Sequence, residues 1–124
     1  MIALLLILYI IACISAGAIA DGLNDTKRKK VGHLIEAIEI ALALVGATIF
    51  SVTTETLTPY ITAYIGFRIA LFDFIYNISS YRKLLDVGSS NWWDELVSKV
   101  LPAGMFFIRL LFLGLATGVT IRYF

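Results

Sequence analysis

Residues Ile2–Ala20 run for nineteen positions without one charged side chain. Coiled as an α-helix, the run measures about 28 Å, close to the thickness of a bilayer's hydrocarbon core. Composition extends this constraint to the whole chain. Of its 124 residues, 60% are hydrophobic and 15% charged, against about 45–50% apolar and about 25% charged in soluble domains. A chain this short, folded in water, would bury only about two-thirds of its unfolded surface. The expected fold is therefore all-α: a polytopic integral membrane protein, built as a single membrane domain over residues 1–124.

Three further apolar runs complete four expected spans, at about 2–20, 34–52, 60–78 and 103–121. Pro59 is expected where the third helix begins and Pro102 just before the fourth, positions at which a missing N–H costs little. Ala18-Ile19-Ala20 followed by Asp21 has the form of a signal-peptide cleavage site. No basic segment precedes the apolar run, however, and the run is long, so it is expected to remain as a span.

Charge orients the spans. The first connection carries Lys27, Arg28, Lys29 and Lys30, and the third carries Arg82, Lys83 and Lys99. The second connection, residues 53–58, has no base and only Glu55. The positive-inside rule then places both termini outside and the basic loops, 21–33 and 79–102, in the cytoplasm of a multi-pass cell-membrane protein. Within the second of these loops, residues 91–100 gather Trp92, Trp93, Leu96, Val97 and Val100 on one helical face and Asp94, Glu95, Ser98 and Lys99 on the other. That pattern predicts a short amphipathic interfacial helix, capped by Asn91.

Small residues recur every four positions: Ala12, Ala16 and Ala20; Ala37 and Ala41; Thr62, Gly66 and Ala70; Gly114 and Gly118. Such rows let helices approach closely, within one chain or between copies. Lipids are the expected surroundings, with a homo-oligomer or a larger membrane complex as the expected assembly.

The polar residues inside the spans carry the chemical signal. The deduced topology brings Asp21, Asn24, Asp25, His33, Glu36, Glu39, Asp73, Asn77 and Arg109 towards the cytoplasmic third of the bundle. Charges at membrane depth cost on the order of 2.5–3.5 kcal/mol each, so they face protein, water or one another. One solution is a divalent metal such as Mg, Mn or Zn, with Asp21, Asp25, His33, Glu36 and Asp73 as ligands. Glu36 or Glu39 would then act as catalytic base, while Lys27, Arg28, Lys29, Lys30 and Arg109 attract a phosphate. This predicts a membrane-embedded, metal-dependent enzyme acting on a lipid headgroup or lipid-linked phosphate.

The alternative is structural. Arg68 is level with Glu39, Arg109 can pair with Asp73 or Glu36, and Asn24 and Asn77 can bond across helices. Such a network would serve a structural or assembly subunit of a membrane complex. A small oligomeric proton-coupled transporter or channel using Glu39 is the third reading, although the outer halves of the spans offer almost no polar lining.

Several classes are excluded. Cys13 is the one cysteine, which rules out an internal disulfide or a thiolate-built zinc site. His33 and Glu36 form H-x-x-E without the second histidine of a zincin. Asp21-Gly22 with Gly32 and Glu36 shares little with the CDP-alcohol phosphotransferase signature: its Ala-Arg pair is replaced by Asp25-Thr26, and its later spacings are missing. The basic tetrad has no interleaved aromatics, which argues against nucleic acid.

Overall fold

In a computed structural model the described residues are 1–24, 29–80, 99 and 102–124, and side chains are described for these except at 23, 24, 29–33, 102, 103 and 105. They form four helices: α1 (Ile2–Asn24), α2 (Lys29–Ile49), α3 (Thr54–Ser79) and α4 (Pro102–Tyr123). The chain is an all-α, membrane-hydrophobic four-helix bundle.

The turn between α2 and α3 is set by local chemistry. Val52 N–H bonds to Ala47 C=O at 2.9 Å and Ser51 N–H to Thr48 C=O at 3.1 Å, the paired bonds of a Schellman motif. Ser51 takes the left-handed position at φ 51°, where glycine would be unstrained. Thr53 then caps α3. Its hydroxyl accepts from Thr56 N–H at 3.4 Å, and its own N–H donates to the Thr56 hydroxyl at 2.9 Å, a capping box closed by threonine. Glu55 in the first turn complements the helix dipole. This cap starts α3 about a turn and a half earlier than Pro59 suggests, so the proline lies inside the helix. Pro102 is the first residue of α4, where its missing N–H has no helical partner to lose.

The core lies between α1, α3 and α4. Leu6, Ile10 and Ile14 descend one face of α1 and meet Tyr60, Ala63 and Phe67 of α3 and Ala116 of α4. Helix α3 packs broadly on α1 and α4, and α1 also packs on α2; among the described residues α2 and α3 have few close backbone approaches. Gly66 permits the tightest approach of α3 to α4, since a Cβ there would stand 2.9 Å from the Ala116 Cβ. At the other end of the core, a Cβ on Gly22 would lie 2.7 Å from the Ser79 Cβ. The C-terminal ends of α1 and α3 therefore share one surface.

Among the described residues, three helices are long and apolar enough to cross a membrane: Ile2–Gly22, Thr54–Ser79 and Phe106–Tyr123. Helix α2, fully described from Leu34 onward, is not among them. The four expected spans are thus met by four helices, of which three qualify by length and composition. The amphipathic segment 91–100 falls outside the described residues apart from Lys99. The outer surface is apolar, with Leu4, Leu8, Ile40, Leu44, Phe107 and Leu111 all exposed, as a lipid-facing bundle requires.

The small-residue rows divide sharply. Gly66 and Ala70 are buried, whereas Ala12, Ala16, Ala37, Ala41, Gly114 and Gly118 are exposed. A Cβ on Gly114 or Gly118 would meet nothing within 4 Å. The close contacts on α1 are instead at Gly17 and Gly22, both absent from the expected rows.

Candidate functional site

Among the described residues, two ion pairs stand out in the polar interior. The first ties α2 to α3. Glu39 is 4% exposed, and its Oε1 accepts from Arg68 Nε at 3.0 Å and from the Tyr64 hydroxyl at 2.9 Å. Arg68 Nη2 reaches Oε2 at 3.4 Å, so the guanidinium straddles the carboxylate as a fork. The guanidinium carbon also lies 4.3 Å from the Phe72 ring centroid, within cation–π range. On the α1 side, a Cβ on Gly17 would come within 3.0 Å of Glu39 Oε2; the glycine makes room for the carboxylate.

Two tyrosines reinforce the attachment of α2. Tyr9 of α1 donates to Leu42 C=O at 2.7 Å, and Tyr60 of α3 donates to Ala43 C=O at 2.6 Å. Helix α2 is thus held by side-chain ties from both neighbours, and its interval from α3 is a 450 Å³ groove floored by Tyr60, Tyr64, Glu39 and Arg68.

The second pair ties α3 to α4. Arg109 is 4% exposed, and its Nη2 donates to Asp73 Oδ2 at 3.1 Å. The Phe74 ring centroid lies 5.5 Å from the guanidinium carbon. Arg109 Nε and Nη1 are buried and have no hydrogen-bond partner among the described residues. Asn77, one turn along α3 from Asp73, is buried, and none of Asp21, Glu36, Asp73 and Asn77 is without a partner.

This arrangement overturns the expected metal centre. Among the described residues, no group of three or more His, Cys, Asp or Glu side chains could hold a metal ion. The expectation of a divalent Mg, Mn or Zn cofactor, and with it that of a metal-dependent enzyme, is therefore corrected. The reason is electrostatic. Glu39 and Asp73 already face guanidinium charges, those of Arg68 and Arg109, which supply what a cation would. Asp21 lies near the end of α1 and Glu36 is exposed on α2; together with Asp73 they form no such group. Asp25 and the side chain of His33 lie outside the described residues. The catalytic-base role expected of Glu36 or Glu39 is tied to that metal; Glu39 is enclosed by Arg68 and Tyr64, whereas Glu36 is exposed on α2. Of the residues expected to attract phosphate, Lys27 and Arg28 and the side chains of Lys29 and Lys30 lie outside the described residues, as does that of Asn24.

None of Tyr9, Tyr60 and Tyr64 belongs to the polar cluster expected from the sequence. Their signal was present as a stripe: Tyr60, Tyr64 and Arg68 follow one another at four-residue intervals along one face of α3. Tyr9 leaves no comparable trace.

Fold and site together define a class, a helical membrane bundle whose interior charges are paired between helices. Comparison with known protein families, curated proteins and solved structures finds no match to the chain.

Proposed function

We propose that the protein is a structural or assembly subunit of a membrane complex, with its interior ion pairs serving as ties between helices. The observation that carries this reading is the Glu39 cluster. Its carboxylate accepts two bonds from Arg68 and one from Tyr64, and no described cluster of acids suits a metal. A group so fully engaged fixes the register of α2 against α3 and leaves little lone-pair capacity for chemistry.

In this reading all four helices span, α2 included, because its buried acid is neutralised by Arg68. The chain forms one membrane domain with both termini outside and the loops 21–33 and 79–102 in the cytoplasm. The segment 91–100 rests at the cytoplasmic interface. The exposed rows Ala12–Ala16, Ala37–Ala41 and Gly114–Gly118 support assembly through outer faces, with further copies or with other subunits, because close helix approach needs small residues.

Size measurement in mild detergent tests the proposal. The wild type is expected to run as a discrete assembly heavier than its 13.7 kDa chain, and Gly114→Leu with Gly118→Leu to shift it towards monomer while leaving helix content unchanged. A wild type that is monomeric in detergent, and yields only monomer on cross-linking in native membranes, would overturn it. Thiol labelling of cysteines placed at Thr26 or Thr58, in a Cys13→Ala background, tests the topology; labelling of Thr26 from outside would reverse it.

A further inference from the structure

Arg109 is the polar group that the network leaves incomplete. A guanidinium offers five N–H donors in a fixed plane. Here Asp73 accepts one bond from Nη2 at 3.1 Å, while Nε and Nη1 stay buried without an acceptor among the described residues. Buried donors left in this condition call for a specific explanation, and an arginine cannot escape by losing its charge. Nε and Nη1 face different edges of the guanidinium, with Cδ between them, so an oxyanion reaching either one would form a charge-assisted bond of the kind carboxylates and phosphates accept from arginine.

The surroundings of Arg109 specify the rest of the ligand. It lines a 240 Å³ groove between α3 and α4 whose other lining residues, among them Phe74, Ile78, Phe106, Leu110 and Leu113, are all apolar. Arg109 lies seven residues into α4, about 10 Å from the start of that helix, and Asp73 lies six residues before the end of α3, about 9 Å from the same surface. An anion at this depth arrives most readily with a hydrocarbon chain attached, drawn in laterally from the bilayer.

We propose that Arg109 and the α3–α4 groove form a binding site for an anionic amphiphile, its oxyanion accepting from Nε or Nη1 and its chain along the groove. A fatty-acid carboxylate and a phospholipid phosphate share this chemistry. Both nitrogens are closed to solvent in the present conformation. Entry therefore requires a lining side chain to turn aside, and Phe74, which lines the groove and lies against the guanidinium, is the one placed to do so. The site does not depend on the assembly reading: it requires only that α3 and α4 lie in a membrane.

The test is native mass spectrometry of the full chain, delipidated in detergent and titrated separately with palmitate, dipalmitoyl phosphatidate and, as the uncharged control, dipalmitoylglycerol. The wild type is expected to retain at least one of the two anions on the order of tenfold more than the control. Retention of palmitate alone identifies a carboxylate site, and retention of phosphatidate alone a phosphate site. Arg109→Met should remove the preference, and Leu110→Trp, a change at a half-exposed position on the groove, should weaken retention with the guanidinium intact. Circular dichroism checks that each variant remains helical. Equal retention of all three amphiphiles by the wild type, or an anion preference that survives Arg109→Met, overturns the proposal and leaves buried water as the partner of those nitrogens.

Discussion

The two ion pairs are electrostatic inverses of one another. In the α2–α3 pair the acid is buried and the base reaches outward, with side-chain exposures of 5% for Glu39 and 39% for Arg68. In the α3–α4 pair the base is buried and the acid reaches outward, at 5% for Arg109 and 40% for Asp73. The buried acid is well supplied, since three donor nitrogens and hydroxyls converge on two oxygens. The buried base is not, because one carboxylate oxygen serves a group with five donors. A carboxyl group deprived of its partner can also discharge by taking a proton, whereas a guanidinium stays charged. The same formal pairing thus makes a closed tie on one side of α3 and an open one on the other.

The largest expected effect follows from removing the exposed half of the open pair. Asp73→Ala strips Arg109 of the acceptor it has, and an unpaired buried charge costs about 3–5 kcal/mol. Unfolding in mixed detergent–denaturant micelles measures this; a loss below about 1 kcal/mol would mean that Arg109 is already held by something other than Asp73. Arg68→Ala, the matching change in the closed pair, should cost less, about 1.5–3 kcal/mol, the worth of hydrogen bonds to a charged group. Glu39 keeps the Tyr64 hydroxyl as a donor. If Arg68→Ala proved the more damaging, the inversion described above would be wrong.

How much of this could be read from the chain depends on whether the signal lies along one helix or between helices. Apolar runs and loop charges are one-dimensional, so the all-helical membrane fold and the positions of four helices were legible. The alignment of Arg68 with Glu39 was legible too, because depth counted from span ends places them level. The metal centre was misread because depth alone does not give azimuth. Asp21, Glu36 and Asp73 occur towards the same surface yet form no common cluster. The rows of small residues stay open on sequence alone for the same reason: periodicity shows that Gly114 and Gly118 share a face, but not whether that face is inward or, as here, outward. The start of α3 was displaced because Pro59 is the louder signal, while the Thr53–Thr56 cap uses threonine where a capping box usually has glutamate or glutamine.

A smaller effect probes the closed tie alone. Tyr64→Phe removes one of the three bonds to Glu39 without touching either charge, and should cost about 1.5 kcal/mol, the lower end for a hydrogen bond to a charged group, because both Arg68 bonds remain. In double combination with Arg68→Ala the loss should exceed the sum of the single losses, since Glu39 then has no donor among these three. Strict additivity would show that Tyr64 and Arg68 hold the carboxylate independently and that the cluster is not a unit.

The smallest effect is also the most discriminating. Arg109→Met replaces a guanidinium short of acceptors by an unbranched apolar side chain that adapts to irregular space. Replacing a buried ionic group by an apolar one of similar size is often neutral or stabilising. Asp73, already 40% exposed on its side chain, can turn to the interface instead of remaining buried alone. In lipid-free detergent the expected change is therefore within about 1 kcal/mol of zero, and Arg109→Met should suppress most of the penalty of Asp73→Ala when the two are combined. Supplying palmitate or phosphatidate should then stabilise the wild type and not Arg109→Met, because only the wild type retains the donors that the anion would satisfy. A large loss of stability in Arg109→Met without added amphiphile would make the α3–α4 pair as closed as its counterpart, and erase the asymmetry between the two sides of α3.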